Sequence, residues 1–535
     1  MPQTNTKWIA HRFKGGWATD FGPTVHAGPD GNTMNVPYLT DAENLIYELN
    51  GGCHTMPGTA KLNATTLGAT STVKGLYDYW RQGTVGSPTQ RVVAHVDTRV
   101  VAASVSDGIF STIGTGFVSG AVPAYSTFDD LLILSSDASA DAPKSWDQST
   151  FQSLAGSPPN FSFSVNHRNR QWAAGVITNP SRLYYSDNLD PESWVGATSG
   201  SIDIDPSDGD AIVGLASFKN ELIVFKGPNK GSIHRVSGGS PSEFARALFI
   251  RGITAAYQNA IFTLPNDLGF ISPRGTVHSL VASQNFGDYE QSTLSFPINR
   301  TLRNTVKQSS YKNWWAVEDN LNGMVYLAYT PSGQTRNTEF LMMDYRFIGL
   351  GEPFPRWSRW RAFGADSMAY VIDTNNRARP FFGMNDGFIY RGDQTDRTHN
   401  SSSLTPRITF PYLTYGADQV TKTLCTVAVE VAPKNDNPIT VTWTRDGQTQ
   451  QTDSTITQGG GDLLGVWPVN QFTLDSSTLG GGRYLTRYLE METGGEFRAI
   501  QYGLTDTRNH SELEVHGLLV ALEAGSISTE NNLAS

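Results

Sequence analysis

Residues 181–194 read SRLYYSDNLDPESW, and eighteen residues after Trp194 the chain continues as IVGLASFKNELIVFKGPNKGSIHRVSG (212–238). A third stretch, IFTLPNDLGFISPRGTVHSL, spans 261–280. Each is a short apolar strand, a polar turn and another strand. Alternation of period two, bounded by Gly, Asn, Asp and Pro, is the signature of antiparallel hairpins. The same scheme recurs at 91–114 (RVVAHVDTRVVAASVSDGIFSTIG, turning at Asp97-Thr98), 124–147, 163–187 (turning within Asn166–Asn169, with Trp172 on the next strand), 311–347 and 367–393.

Strand groups return every 40 to 50 residues or so, the period of a four-stranded propeller blade. The elements DGIF (107–110), GSIH (231–234), GTVH (275–278) and DGFIY (386–390) read as one equivalent strand, entered each time through a glycine. A lone blade leaves both faces wet, whereas blades stacked about an axis cover one another. The expected fold class is therefore all-β: a β-propeller of about six to seven blades over residues 76–400. The competing arrangement is a set of antiparallel sheets that never closes.

Residues 1–75 fall outside the blade pattern and read as an extended arm and hairpin. Within them, Thr40 and Glu43 predict a capped helical turn at 40–46, and Asn50-Gly51 predicts a tight hairpin turn. After 395 the composition shifts. TDRTHNSSSLTPR (395–407) reads as a linker. KTLCTVAVEVAP (422–433), PITVTWTRDGQ (438–448), FRAIQYGLTD (497–506) and ELEVHGLLVALE (512–523) then alternate as strands, between Gly-rich loops QGGGDLLG and LGGGRY. Residues 401–535 are expected to form a C-terminal β-sandwich-like platform domain.

At 535 residues the chain exceeds the size of one growing core. Charged residues make up only 17%, Gly reaches 52 and aromatics 11%, a balance suited to β-structure with many turns. The net charge of −10 argues against a surface that grips nucleic acid, which needs basic patches. Cys53 and Cys425 are the only cysteines, so no disulfide framework is expected. The N-terminus lacks the apolar run of a signal peptide and no stretch has the length of a membrane span. The sequence thus predicts assembly in a reducing cytosol.

Chemistry is sparse. No HExxH, CxxC, GxSxG or P-loop pattern occurs. Asp203, Asp205, Asp208 and Asp210 with Gly209 have a spacing that hard cations use, but the twelfth-position Glu and flanking helices of a calcium loop are missing. The stretch reads as a solvated loop joining two blades. A glycosidase would need two carboxylates about 5 to 9.5 Å apart. Asp129, Asp130, Asp187, Asp190 and Glu192 are the acids for that role, and all read better as turn formers, with Tyr185 and Trp194 as core. His167-Arg168-Asn169-Arg170 reads as a hairpin tip before it reads as a phosphate contact. Trp314-Trp315 and Trp357/Trp360 suit blade packing or a subunit contact better than sugar stacking. No catalytic, cofactor-binding or metal-binding residue is assigned, no cofactor is expected, and the chain is not expected to be an enzyme.

FKGGWATDFGP (13–23), VPYLTDAENLIYELNGGCHTMPGTAKLN (36–63), the three stretches quoted first and the closing strands resemble, in order and pattern, the tail nozzle proteins of short-tailed bacteriophages. The resemblance spans almost the whole chain without a strict fingerprint. It implies a virion protein assembled in the host cytoplasm: a homo-oligomeric ring, usually six copies, below the adaptor on the portal. Such a ring continues the DNA-ejection channel, closes it until infection, carries fibres or spikes, and passes genomic DNA without reading its sequence. Nozzles tend to be longer than this chain, so a compact one is implied. The other readings of the residues are a propeller that binds or cleaves receptor glycans, and a different phage connector or tail-hub protein.

Overall fold

The computed structural model describes residues 7–13, 15–21, 24–25, 34–35, 38–68, 72–83, 86–281, 293–348, 352, 354–395, 397–415, 420–432, 438–448, 451–457, 485–490, 495–506 and 513–527. The chain folds as two compact units. One comprises Thr59–Met343 and Phe363–Asp393; the other comprises Met1–Gly58, Asp344–Ala362 and Gln394–Ser535.

The first unit is a propeller of seven blades among the described residues. Blade 1 holds Val73–Arg81, Thr89–Val96, Arg99–Ala103 and Ser111–Thr115. Blade 2 holds Pro123–Phe128, Leu131–Ser136, Lys144–Trp146 and Phe151–Ser153. Blade 3 holds Phe163–His167, Arg170–Ala174, Arg182–Tyr185 and Gly200–Asp203, and blade 4 holds Ala211–Phe218, Glu221–Gly227, Ser232–Ser237 and Ala245–Arg251. Blade 5 has Ile261–Leu264, Asp267–Ile271 and Val277–Ser279, and is followed by a short helix, Asn299–Thr305. Blade 6 has Trp315–Asp319, Met324–Tyr329 and Glu339–Asp344. Blade 7 has Ser367–Ile372, Ala378–Gly383 and Ile389–Gln394, and its fourth strand is Gly58–Lys61, from before blade 1.

That borrowed strand closes the ring. Leu62 N–H donates to Ile389 O at 2.7 Å, and Asn63 Oδ1 accepts from Ile389 N–H at 2.8 Å. Apolar packing then runs around the circle. Val93 and Leu132 join blades 1 and 2, Phe161 and Ala173 blades 2 and 3, and Phe163, Leu222, Phe225 and Phe270 blades 3 to 5. Thr263 Oγ1 bonds Glu318 at 2.5 Å between blades 5 and 6. The Phe340 and Phe382 rings, 5.2 Å apart, join 6 to 7, while Val96, Val371 and Phe381 join 7 to 1. Each blade thus covers its neighbour's wet face, which is why the alternation pays no exposure penalty.

Two-residue turns set the hairpins. Asp97, Asp129, Arg168, Asn169, Lys219 and Asn266 all sit at positive φ, where a short polar side chain or a local hydrogen bond eases the left-handed backbone. The equivalence of GSIH, GTVH and DGFIY holds: all three enter third strands, through Gly231, Gly275 and Gly387 at φ of +73°, +88° and +74°. DGIF differs. It leads into Ser111–Thr115, the fourth strand of blade 1. At Gly387 an added Cβ would lie 2.3 Å from Thr66 Oγ1 and 2.6 Å from Gly68 O, beside the closing strand. Gly387→Ala should therefore cost about 1–3 kcal/mol. A urea midpoint unchanged from wild type would show that the closure yields freely there.

The second unit contains two sheets. One runs in the order 34–35, 7–12, 514–527, 420–431, 485–490, so that strands near the two ends of the chain pair, Ile9 opposite Val520. The other includes 412–413, 500–505, 407–409, 41–43 and 356–360, with 438–445 beside 500–505. Phe13 and Phe410 meet across the two at 5.5 Å, and His11 Nε2 bonds the Tyr415 hydroxyl at 3.0 Å.

This corrects the expected boundaries. Residues 59–75 belong with the propeller, and the C-terminal strands are completed by residues 1–58 and 344–362. The helical turn at 40–46 is absent: Asp41–Glu43 and Leu45–Tyr47 are strands separated by Asn44 at φ +56°. Thr40 Oγ1, expected to cap a helix, donates instead to Phe410 O at 3.0 Å, and Ala42, Leu45 and Tyr47 are buried. Pairing with 407–409 and 356–360 outweighs a weak local helix preference. The Asn50-Gly51 hairpin is present, with Leu45–Tyr47 paired to Cys53–Thr55. The stretch expected as a linker carries two short paired strands, Thr398–His399 and Ser402–Ser403. QGGGDLLG and LGGGRY lie outside the described residues. Among the described residues no helix is long and apolar enough to cross a membrane.

Candidate functional site

The acidic stretch 203–210 links blade 3 to blade 4, and its carboxylates diverge. Asp203 forms a two-pronged pair with Arg182 at 2.7 and 3.1 Å, which holds its pKa below the usual carboxylate range. Asp205 meets Arg246 at 2.9 Å. Asp210 is buried and accepts the backbone N–H groups of Asn229, Lys230 and Gly231 at 2.8, 2.9 and 2.9 Å. Asp208 accepts from Lys226 Nζ at 2.7 Å.

Lys226 is the residue that spacing alone did not bring forward. It sits in the apolar strand Glu221–Gly227 with its side chain fully buried. Its ammonium donates to Ile204 O at 2.7 Å, Asp205 O at 2.8 Å and Asp208. A lysine thus fills the centre of the loop that a divalent ion would need. Among the described residues no three His, Cys, Asp or Glu side chains gather as a ligand set. A single cation inside ELIVFKG was the available signal, because a buried charge demands partners.

The other acids shape turns. Asp130 accepts the N–H groups of Gln82 and Gly83 at 2.7 and 2.9 Å, and Asp129 occupies the positive-φ turn position. Asp187 accepts the Thr198 hydroxyl at 2.7 Å, the Thr198 N–H at 3.0 Å and the Ser193 hydroxyl at 2.7 Å; its pKa is lowered, most by Thr198. Asp190 accepts the Glu192 N–H at 2.9 Å. Trp194 and Tyr185 are core residues.

The basic tip is split by the hairpin. Arg168 and Asn169 form the turn, while His167 and Arg170 pair across it. Arg168 donates to Gly238 O at 2.8 Å. His167 bonds Ser217 Oγ at 2.8 Å, and burial, aided by Arg168, lowers its pKa to about 4. Arg170 is buried against Tyr185 and Phe244 and donates to Ser186 O and Thr198 O at 2.6 and 2.8 Å. Trp314, Trp315, Trp357 and Trp360 are all buried, which leaves no face for a sugar. Cys53 is buried and Cys425 half-buried, both as free thiols. Burial pushes the Cys53 thiol up, the opposite of what a reactive cysteine requires.

The described residues also frame cavities. The central one, about 320 Å³, is framed by inner strands: Leu76–Asp78, Tyr125, Trp315–Val317 and Met368–Tyr370. Asp78 accepts from Gln90 at 2.7 Å and Trp80 at 3.0 Å, and burial raises its pKa. Gln258 bridges to Leu215, donating to its carbonyl at 3.0 Å and accepting its N–H at 2.7 Å. A second pocket of about 300 Å³ lies on the face where inner strands begin, among Phe163, Val176, Ile177, Ile212 and Tyr257. The Lys312–Asp137 pair, 3.2 Å apart, borders it, with Lys312 5.5 Å above the Tyr257 ring. Both volumes are in the range of small-ligand sites.

No protein-family model matches the chain, and no curated protein sequence matches it. Among solved structures it is similar to YCF48 bound to D1 peptide, at 11% identity over 63% of this chain and 97% of that one, with a TM-score of 0.37. It is also similar to the extracellular domain of the one-component system BT4673 from B. thetaiotaomicron, at 10% identity over 68% of this chain, with a TM-score of 0.31. The chain spans only 39% of the length of that second neighbour. At these identities the likeness concerns the fold alone.

Proposed function

We propose that the chain is a structural virion protein, a subunit of the tail nozzle ring of a short-tailed phage. In this reading six copies form a ring below the adaptor, extend the DNA-ejection channel, gate it until infection, and carry fibres or spikes on the flank. The observation that supports it is the fate of the polar side chains. Asp130 and Asp187, which a glycan-cleaving propeller would keep free, are committed to turns, Asp208 is committed to Lys226, and the paired tryptophans are committed to the core. A rigid ring of edge-protected blades suits a building part.

The propeller's own central cavity of about 320 Å³ has small-ligand size, so DNA would pass through the lumen of the assembled ring. With a net charge of −10, that lumen is expected to be acidic and to repel phosphates.

A second reading, a receptor-binding module for glycans or another small ligand, is favoured by the apolar pocket at Phe163, Ile212 and Tyr257. A different connector or tail-hub role shares the first reading's chemistry. Mass photometry and negative-stain imaging of the purified full chain separate the first two. Rings of six, with no retention on immobilised host glycans, support the nozzle. Monomers or trimers that bind glycan overturn it.

A further inference from the structure

Blades 4 and 5 place the same kind of loop at the same position. GPNKG (227–231) joins the second and third strands of blade 4, and SPRG (272–275) does so in blade 5. Each carries a proline, then a cation, then a positive-φ glycine, so Lys230 and Arg274 project from neighbouring blades. Between them lies a notch of about 40 Å³, lined by both cations and by Thr254, on the link between the blades. A water site needs about 10–15 Å³ measured this way, so the notch holds about three waters or one small polyatomic ion.

Two features point to an anion. Among the described residues neither Lys230 nor Arg274 forms an ion pair and no carboxylate lines the notch, while the buried Asp210 carboxylate is taken up by the backbone N–H groups of Asn229, Lys230 and Gly231. Asp208 feels the charge of Lys230 but is bonded to Lys226. The opposite wall is a neutral relay, Ser272 Oγ to Thr276 Oγ1 at 2.7 Å and Thr276 Oγ1 to His278 Nε2 at 2.7 Å. Burial, with Arg303 assisting, holds the His278 pKa down at about 3, so the ring adds dipoles and no competing charge.

We infer that this notch binds one oxyanion group of phosphate size, clamped by Lys230 and Arg274. In a chain of net charge −10 it is a local reversal of sign, and it stands whether or not the chain forms a ring.

The test is calorimetric titration of the full chain with sodium phosphate, ionic strength held constant with sodium chloride. One saturable phosphate per chain is expected, with acetate at least about fivefold weaker because it offers fewer acceptor oxygens. Lys230→Ala and Arg274→Ala, both at exposed positions, should each weaken binding about tenfold. Unchanged binding in the Lys230→Ala/Arg274→Ala double variant overturns the site. So does a response that chloride reproduces, and equal affinity for acetate overturns the phosphate assignment.

Discussion

Trp172→Ala should destabilise the propeller by about 3–5 kcal/mol, the range for emptying a fully packed aromatic site. Trp172 is 2% exposed on the second strand of blade 3. Its ring lies 5.1 Å from Tyr185 and 5.0 Å from Phe244, and its Nε1–H donates to His167 O at 3.2 Å. Truncation leaves a void beneath Arg170, whose guanidinium rests on those same two rings. The effect should spread beyond blade 3, because Phe163, Leu222 and Phe225 share that core. Leu248→Ala, at a 41% exposed position on the outer strand of blade 4, is the control and should fall within about 0.5 kcal/mol of wild type. Urea midpoints measure both. A loss under about 1 kcal/mol for Trp172→Ala would mean that the blades do not depend on one another's packing.

Lys226→Met is the second. Methionine keeps most of the stem volume but removes the ammonium that holds Ile204 O, Asp205 O and the Asp208 carboxylate within 2.8 Å. Breaking a buried pair while leaving its partners in place costs about 3 kcal/mol or more. The loop from Ile204 to Asp208 should then open to proteases. Adding Asp208→Asn to Lys226→Met should cost less than the two single losses summed, since both remove one interaction. Strict additivity, or a stable Lys226→Met with an intact loop, would show that the lysine is not the centre of that loop.

The propeller was legible because its grammar is local. Asp97-Thr98 carries its turn in adjacent residues, as Asn50-Gly51 does in the second unit, and Gly231, Gly275 and Gly387 mark the same corner three times. What escaped notice is non-local. Nothing in Thr40 and Glu43 announces that Ala42 will pair with Ile408, 366 positions further along the chain. Likewise DGIF has the look of a third-strand entry, yet in blade 1 the strand Arg99–Ala103 has already taken that place. The acids show the same limit. Spacing suggested a cation loop, but the cation came from Lys226, supplied by the next blade's second strand.

The strand Lys7–Arg12 meets Met34–Asn35 along one edge, but its other edge pairs with Glu514–Ile527. At ribosomal speeds some 500 residues separate the two by roughly 25 to 100 s. Throughout that interval the nascent chain displays an unmatched β-edge, an invitation to a chaperone or to the matching tail of a neighbouring polypeptide. A chain that stops before Glu514 leaves that edge open.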